Sequence, residues 1–231
     1  MGEAGVAANA MTTREKIEQL GIVPVLRARS AEEGRALVDA LVAGGIVTME
    51  VTMTVPGAVE LLRTLKKEYG DRLLLGSGTV TTAEQAVATI EAGAEFVVSP
   101  SFHPDVVEVT KDMGKVSIPG SLTPTEVITA WRAGADYVKI FPCSAMGGAS
   151  YLKALLAPFP ELRLIPTGGV TLQTAADFLN AGARALGVGT DLVNPKAIAE
   201  GKPESVTQTA RAYVEIIAKF RGPSNKAKPR S

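Results

Sequence analysis

Two charged residues lie inside segments that otherwise have the composition of buried strands. Lys139 occurs in YVKIFP at residues 137–142, where its neighbours are apolar and favour strands. Glu50 occurs in TMEVTM at residues 48–53. A charged side chain loses its water when it is buried, and it is rarely found there without a reason. An amine and a carboxylate in such positions are candidates for catalysis.

Side-chain alternation predicts which residues share a strand face with each of these two charges. Residues two apart in a strand share a face, so Glu50 is grouped with Thr52, and Lys139 with Tyr137 and Phe141. If both faces point inward, the amine and the carboxylate meet in a confined volume. The alternative is a structural ion pair. Buried pairs add little net stability after desolvation, so we favour a catalytic role.

A buried lysine beside a carboxylate is suited to Schiff-base chemistry. Burial favours the neutral amine, which is a nucleophile near neutral pH. The amine attacks a ketone to form a Schiff base, which draws electrons from the adjacent carbon atom. A neighbouring carboxylate can move protons. The two groups therefore suit the making or breaking of a carbon–carbon bond next to a carbonyl group.

The rest of the chain alternates apolar runs with amphipathic ones, which is typical of strand–helix repeats. The helical stretches begin with Ser or Thr and have a Glu nearby, as helix starts do. Eight strands are predicted, at residues 22–28, 48–53, 73–80, 95–101, 116–121, 136–142, 162–169 and 185–192. Eight helices are predicted as well, and the last of them lies near residues 204–220.

Glycines at helix ends indicate a repeated architecture. Every second helix ends in Ala-Gly-Gly or Ala-Gly-Ala, at residues 43–45, 92–94, 133–135 and 181–183. Glycine closes a helix in a left-handed conformation without steric cost. Eight strand–helix units in about 200 residues predict an α/β fold of the (β/α)8 TIM barrel type, with the active groups at the C-terminal strand ends. A doubly wound open sheet is the alternative.

Two glycine clusters indicate a second functional feature. One is Pro-Thr-Gly-Gly at residues 166–169, and the other is Gly-Val-Gly-Thr at residues 187–190. They lie at the ends of predicted strands seven and eight, where barrels commonly bind phosphate through backbone N–H groups. Glycine also lets the backbone approach an anion closely. The clusters therefore predict a phosphate site.

Length and composition limit the other possibilities. The 231-residue chain fits one barrel domain at residues 15–220, with a flexible extension at residues 1–14 and a polar tail at residues 221–231. Lysine plus arginine total 24 and aspartate plus glutamate total 24, so the basic field that nucleic acid requires is not expected. No apolar run of about 18 residues predicts a membrane span. One histidine and one cysteine are too few for a metal site of nitrogen and sulfur ligands. We expect a cytoplasmic protein.

Five segments resemble those of a known enzyme family. They are similar to segments of the pyruvate-forming class I aldolases of 2-keto-3-deoxy-6-phosphogluconate. In chain order, the segments are MEVT, GSGTV, IPGSLTPTE, VKIFP and PTGGV. That family also includes the 4-hydroxy-2-oxoglutarate aldolases, and the resemblance covers residues 15–220. It implies a homotrimer of (β/α)8 barrels without metal or organic cofactor. The expected reaction is cleavage of the phosphorylated keto acid to pyruvate and glyceraldehyde 3-phosphate.

The resemblance also implies roles for individual residues. Lys139 is then the Schiff-base lysine, Glu50 is the general acid/base, and Thr79 holds the pyruvate carboxylate. The other implied substrate contacts are the apolar walls Pro119 and Phe141 and, for the glycine loops around the phosphate, Thr167, Gly168, Gly169, Gly189 and Thr190.

One position departs from the family pattern. Many relatives carry an arginine where this chain has Thr54, and that arginine helps to bind the substrate carboxylate. Here Arg27 ends the first predicted strand, next to the second strand of a barrel, and its planar guanidinium suits a bidentate carboxylate. We favour this substrate role over the alternative, an ion pair with Glu32 or Glu33.

Two other functions fit parts of the pattern. A phosphosugar isomerase or epimerase on the same barrel would use Glu50 as a proton shuttle and Lys139 as a plain cation. Borohydride with pyruvate separates this function from an aldolase, because it traps only an imine-forming lysine. A trimeric structural or assembly scaffold would need neither group to be active, and light scattering would reveal particles larger than a trimer.

Overall fold

The computed structural model describes residues 11–222. Nine strand segments occur in this range: β1 (Ile22–Leu26), β2 (Thr48–Thr52), β3 (Leu74–Gly78), β4 (Phe96–Val98), β5 (Val116–Ile118), β6 (Gly120–Ser121), β7 (Val138–Ile140), β8 (Leu164–Pro166) and β9 (Leu186–Val188). Every one of them lies within a predicted strand. The predicted extension and tail lie outside the described residues, except for residues 11–14 and 221–222.

The α-helices of the described range are α1 (Thr13–Leu20), α2 (Ala31–Ala43), α3 (Ala58–Tyr69), α4 (Ala83–Glu91), α5 (Pro104–Asp112), α6 (Pro124–Arg132), α7 (Ala149–Leu156), α8 (Ala175–Asn180), α9 (Pro195–Ala199) and α10 (Pro203–Arg221). The predicted count of eight helices is wrong, because α1 precedes the first strand and the short α9 precedes α10. None of the helices in residues 11–222 is long and apolar enough to cross a membrane.

The helix ends follow local rules that are visible in the sequence. Thr123 begins α6 with a capping box, in which its hydroxyl accepts a bond from the Glu126 N–H and the Glu126 carboxylate accepts one from the Thr123 N–H. After every second helix a glycine adopts a positive φ of between 91° and 110°, at Gly45, Gly93, Gly134 and Gly182. These turns return the chain to the next strand, as predicted.

The strands form an α/β fold with a curled parallel sheet. Six strands pair in the order β5-β4-β3-β2-β1-β9, and three more in the order β6-β7-β8. The fifth predicted strand is observed as β5 and β6, which are separated by Pro119, a residue without a backbone N–H. The curl places the first strand, β1, beside the last, β9. This pairing contradicts the doubly wound alternative, in which the first and last strands are far apart.

The inside of the curl is filled by side chains and is covered at one end by α1. Ile17 of α1 is fully buried in the cluster of inward-facing residues, which includes Phe96 and Tyr137. The Tyr137 hydroxyl donates a hydrogen bond of 3.1 Å to the carbonyl of Arg14. The domain boundary predicted at residue 15 falls inside α1. Since α1 covers the N-terminal strand ends, the C-terminal ends remain as the entrance.

Candidate active site

Glu50 and Lys139 meet inside the curl. Glu50 lies in β2 and Lys139 in β7, and Lys139 Nζ is 3.6 Å from Glu50 Oε1. The two side chains are only 2% and 7% exposed, respectively. This separation is just beyond hydrogen-bonding distance, and Glu50 Oε1 has no hydrogen-bond partner within residues 11–222. Both predicted polar faces therefore point inward, and the two charges share one buried space.

Burial controls the protonation of Glu50. It raises the pKa of the Glu50 carboxyl, and the positive charges of Lys139 and Arg27 oppose that rise. A carboxylate whose pKa is raised is a stronger proton acceptor, and it can return the proton in a later step. The unpartnered Oε1 leaves one oxygen of the group available for a substrate proton. The pair can therefore supply a nucleophile and a proton carrier.

The pair lies next to a larger cavity. Glu50 and Lys139 line a small void of about 10 Å³. Val25 and Thr167 line this void and also a cavity of about 420 Å³ at the C-terminal strand ends. The cavity volume lies within the range of about 300–1,000 Å³ that is typical of small-molecule sites. Lys139 Nζ is also 5.4 Å from the centre of the Phe141 ring, which forms part of the cavity wall.

Most of the predicted substrate contacts line this cavity. The structure brings together seven of them: Arg27, Phe141, Thr167, Gly168, Gly169, Gly189 and Thr190. The backbone N–H groups of Gly169, Gly189 and Thr190 donate no hydrogen bond within the described part of the chain. Unpaired backbone N–H groups in loops that line a cavity favour an anion. The two loops, residues 167–171 and 189–191, are called the glycine loops below.

Close packing requires glycine at two positions around the site. Gly169 has a φ of 75°, and a Cβ atom there would lie 2.3 Å from Ser144 Cβ. A Cβ atom on Gly78, at the end of β3, would lie 2.8 Å from Glu50 Cδ. Both distances are far shorter than real contacts between carbon atoms. Alanine at either position would therefore displace the loop or the Glu50 carboxylate.

Arg27 has no ionic partner among residues 11–222. It is exposed at the end of β1 and lines the cavity. The alternative partner Glu33 instead pairs with Arg29 at 2.6 Å, and Glu32 forms no ion pair with Arg27. A guanidinium group that faces a cavity without a partner is available to an anionic ligand.

Thr79 and Pro119 lie beside the ion pair rather than in the wall of the larger cavity. The Pro119 carbonyl accepts a hydrogen bond of 2.9 Å from the Lys139 N–H. Thr79 directly follows Gly78, which packs against Glu50. With a φ of 59°, Thr79 is the only non-glycine residue of the described range with a positive φ. Such strain costs a β-branched residue about 1–3 kcal/mol and is concentrated at functional sites.

The cavity has further wall residues that the sequence analysis missed. They include Val170, Thr171, Val193, Pro195 and the acidic Asp191. Asp191 directly follows the second glycine cluster, and an acid next to a predicted anion site was a signal in the sequence. The apolar residues gave no comparable signal, because their positions depend on how the loops pack.

A larger cavity, of about 540 Å³, lies at the opposite end of the strands, between α1 and α10. Its lining is mostly apolar, and Arg221 is its only charged residue within the described range. It therefore has no pair of groups that could exchange protons. The cavity of about 420 Å³ next to Lys139 and Glu50 is therefore the candidate active site.

Comparison with known proteins identifies one family. The family model described as KDPG and KHG aldolase matches residues 13–209. The chain is 37% identical over 208 residues to the 2-dehydro-3-deoxy-phosphogluconate aldolase of Treponema pallidum, covering 90% of this chain and 98% of that protein.

Two solved structures are similar to this one. KDPG aldolase from Legionella pneumophila, with pyruvate captured as a covalent carbinolamine intermediate, is 28% identical, with a TM-score of 0.77 over 88% of this chain and 98% of that one. A cube-shaped protein cage designed by fusing symmetric oligomeric domains is 31% identical, with a TM-score of 0.80 over 89% of this chain and 75% of that one.

Proposed function

The chain belongs to the KDPG and KHG aldolase family, and we propose that it is a class I aldolase that cleaves 2-keto-3-deoxy-6-phosphogluconate to pyruvate and glyceraldehyde 3-phosphate. The observation that carries this proposal is the buried pair of Lys139 and Glu50, 3.6 Å apart beneath a cavity lined by an arginine and two glycine loops. The second family substrate, 4-hydroxy-2-oxoglutarate, has the same 2-keto acid end and would use the same pair.

Lys139 performs the first step. Its amine attacks the C2 ketone, and a carbon–nitrogen bond forms as the carbonyl electron pair moves to oxygen. The resulting carbinolamine loses water to give a protonated imine. The Legionella relative holds pyruvate in this carbinolamine state. The apolar surroundings of Lys139, which include Ile118 and Ile165, keep bulk water away from the imine.

Glu50 performs the second step. Its carboxylate removes the proton of the C4 hydroxyl, directly or through one water molecule, and the C3–C4 bond breaks. The electron pair of that bond moves through C2 to the imine nitrogen, which gives an enamine and releases glyceraldehyde 3-phosphate. Protonation at C3 and hydrolysis of the imine then release pyruvate. The raised pKa of Glu50 suits both the uptake and the return of the proton.

The remaining residues orient the substrate. Thr79 and Arg27 bind the carboxylate next to the imine, and Phe141 forms an apolar wall of the cavity. Pro119 lies beside Lys139, whose N–H donates to the Pro119 carbonyl. The phosphate lies between the glycine loops and accepts hydrogen bonds from the N–H groups of Gly169, Gly189 and Thr190. Thr167 and Gly168 line the same part of the cavity. Fixing both ends of the substrate places C4 near Glu50, and such orientation can contribute several kcal/mol, up to about 7–11 kcal/mol in well-aligned systems.

A closed eight-stranded barrel is the architecture that we propose for this site. In this arrangement β5 and β6 count as one strand that is interrupted at Pro119. An isolated bridge between Thr167 and Gly187 supports closure of the ring between β8 and β9, and the Arg184 N–H donates to the Leu164 carbonyl at 2.9 Å. All observed pairings are parallel, as this barrel requires.

A homotrimer is the proposed assembly. The family resemblance implies it, and the similarity to a structure built from symmetric oligomeric domains supports an oligomer. The cytoplasm is the proposed location, because a phosphorylated sugar acid is charged and does not diffuse across a bilayer. Light scattering is expected to give the mass of three chains.

A pyruvate-release assay tests the proposed activity. The purified protein is offered 2-keto-3-deoxy-6-phosphogluconate, the same sugar acid without phosphate, and 4-hydroxy-2-oxoglutarate. We expect the highest kcat/KM with the phosphorylated substrate, because only that substrate occupies the glycine loops. Absence of pyruvate from every substrate would contradict the proposal.

Arg27→Ala is expected to raise the activation free energy obtained from kcat/KM and to weaken the binding free energy of pyruvate. Each change should be about 1.5–3 kcal/mol, the range for hydrogen bonds to charged groups. Thr54→Arg in this background should restore part of the activity. The Thr54 and Thr52 hydroxyls are 2.7 Å apart, and Thr52 donates to the Leu26 carbonyl at 2.9 Å, so position 54 lies near the end of β1. Values of kcat/KM for the four proteins of this cycle measure the coupling.

The control in that cycle is Thr54→Arg in the otherwise unaltered protein. It should give little gain or a loss, because it sets two cations side by side. If Arg27→Ala leaves kcat/KM unchanged, or if Thr54→Arg does not raise kcat/KM in the Arg27→Ala background, Arg27 is not the carboxylate ligand.

Thr79→Gly is expected to separate stability from activity. Glycine adopts a φ of 59° freely, so the change removes about 1–3 kcal/mol of strain from the folded state. It also increases the conformational entropy of the unfolded chain, which lowers stability by about 0.5–1 kcal/mol. The free energy of unfolding should stay level or rise, while KM rises because the hydroxyl is lost. Urea unfolding and steady-state kinetics check both parts, and Thr79→Ser is the control that keeps the hydroxyl. A marked loss of stability in Thr79→Gly would refute the strain argument.

A further inference from the structure

An acidic side chain lies in the wall of the cavity that is proposed to hold a phosphate. Asp191 follows Thr190 in the second glycine loop and lines the cavity. Its Oδ2 accepts a hydrogen bond of 2.6 Å from the Tyr213 hydroxyl and one of 3.3 Å from the Leu172 N–H. One carboxylate oxygen therefore connects α10, the loop after β8 and the loop after β9.

Tyr213 is a rigid anchor for this carboxylate. Its side chain is fully buried in the main hydrophobic core, so the position of its hydroxyl is set by the packing of α10. Burial, together with the bond to Asp191, raises the pKa of Tyr213 well above its usual range. The hydroxyl therefore remains protonated and continues to donate to Asp191 at neutral pH.

The Leu172 contact reaches the first glycine loop through a short chain of hydrogen bonds. The Thr174 hydroxyl accepts a bond of 2.9 Å from the Thr171 N–H and donates one of 3.0 Å to the Gly169 carbonyl. Residues 169 to 174 are thus bonded into one unit. Holding the Leu172 N–H therefore also limits the movement of Gly169.

The second glycine loop is bonded in a similar way. The N–H groups of Leu192 and Val193 donate to the Gly189 carbonyl at 3.0 and 2.8 Å. Asp191 lies inside this turn, between the residues that close it. Its position is therefore coupled to those of Gly189 and Thr190, whose N–H groups have no acceptor in the described residues.

The charge of Asp191 does not explain its presence, because a carboxylate repels a phosphate. The geometry points to a different role: we propose that Asp191 is a positioning residue, anchored by Tyr213, that holds the two glycine loops at the separation that a phosphate group requires. This inference rests on the proposed function, since the phosphate is that of the aldolase substrate. Hydrogen bonds weaken steeply with misalignment, so a small spread of the loops would weaken phosphate binding.

Four variants test this role. Tyr213→Phe removes the donor and keeps the ring, Asp191→Ala removes the acceptor, and Asp191→Asn keeps an oxygen that can accept both bonds. Tyr69→Phe is the matched control, because the Tyr69 hydroxyl makes the same kind of bond to Asp39 on the surface between α2 and α3. KM and kcat are measured on 2-keto-3-deoxy-6-phosphogluconate and on the same sugar acid without phosphate.

We expect Tyr213→Phe and Asp191→Ala to raise KM for the phosphorylated substrate about tenfold, which corresponds to the loss of one hydrogen bond to a charged group. KM for the unphosphorylated acid and both kcat values should change by less than about twofold. Asp191→Asn and Tyr69→Phe should keep the preference for phosphate. The positioning role would be overturned if KM rises equally for both substrates or does not rise at all. It would also be overturned if Asp191→Ala and Asp191→Asn have equal effects on KM.

Two further measurements separate this inference from the proposed function. Borohydride trapping of pyruvate in the unaltered protein tests the aldolase chemistry without any phosphate. Calorimetry with inorganic phosphate tests the loops without any cleavage, and we expect Tyr213→Phe and Asp191→Ala to bind it about tenfold more weakly than the unaltered protein. Equal affinities, or no phosphate binding, would overturn the role of Asp191 whatever the trapping shows. If Tyr213→Phe does not fold, the two Asp191 variants decide, because Asp191 is exposed.

Discussion

Lys139→Ala is expected to abolish the release of pyruvate from 2-keto-3-deoxy-6-phosphogluconate while the protein still folds. No other lysine lines the void or the cavity in the described part of the chain, so no second amine can form the imine. Lys153→Ala, a change of an exposed lysine on α7, is the control and should keep full activity. Substantial residual turnover in Lys139→Ala would contradict the imine mechanism.

The same variant should show a stronger dependence of stability on pH. Without Lys139, Glu50 loses a positive charge that opposes the rise of its pKa above 4.5. A carboxyl whose pKa is higher in the folded than in the unfolded state contributes stability below the unfolded pKa, and that contribution is lost as pH rises through the folded pKa. Relative to the unaltered protein, the Tm of Lys139→Ala should therefore fall as pH is raised from acid toward neutral. Circular dichroism melts over this range measure the difference.

Glu50→Gln should form the imine with pyruvate but cleave the carbon–carbon bond about 10²–10⁴-fold more slowly, the usual contribution of a general acid/base. The amide has nearly the same size as the carboxylate but cannot take the C4 hydroxyl proton. The single-turnover cleavage rate and the trapping of pyruvate by borohydride are measured on the same sample. The cleavage rate should fall, while the trapped adduct should still form.

The matched control for Glu50→Gln is Glu95→Gln. Glu95 also forms an ion pair, with Lys115 at 2.9 Å, but it does not line the cavity. This control should cleave at the normal rate. A normal rate in Glu50→Gln itself would show that another group moves the proton.

Local sequence rules predicted the parts of the site that depend on backbone periodicity. The period of two along a strand is a property of the extended backbone, so the face that Glu50 shares with Thr52 and the face that Lys139 shares with Phe141 could be predicted without knowledge of the packing. That both faces point inward required the barrel prediction as well. Glycine after a helix and at the strand ends marks positions with positive φ or close contacts, and Gly169 shows both. The parallel strand order follows from the repeated strand–helix unit.

Features that arise from distant packing could not be predicted. The bond between Asp191 and Tyr213 depends on how α10 packs against the rest of the domain. Asp191 stands out beside the second glycine cluster, but nothing in the local sequence identifies Tyr213 as its partner. The positive φ of Thr79 is imposed by its surroundings, since its own sequence preference opposes it. The placement of α1 over the N-terminal strand ends likewise depends on contacts such as that of Ile17 with the inward-facing cluster.

The most direct test of the central claim is reduction with borohydride in the presence of pyruvate, followed by peptide mapping. We expect an N-(1-carboxyethyl) group on Lys139 in the unaltered protein and in Glu50→Gln, and no such group in Lys139→Ala. Absence of the adduct from the unaltered protein, or its presence on a different lysine, would contradict the claim that Lys139 is the Schiff-base nucleophile.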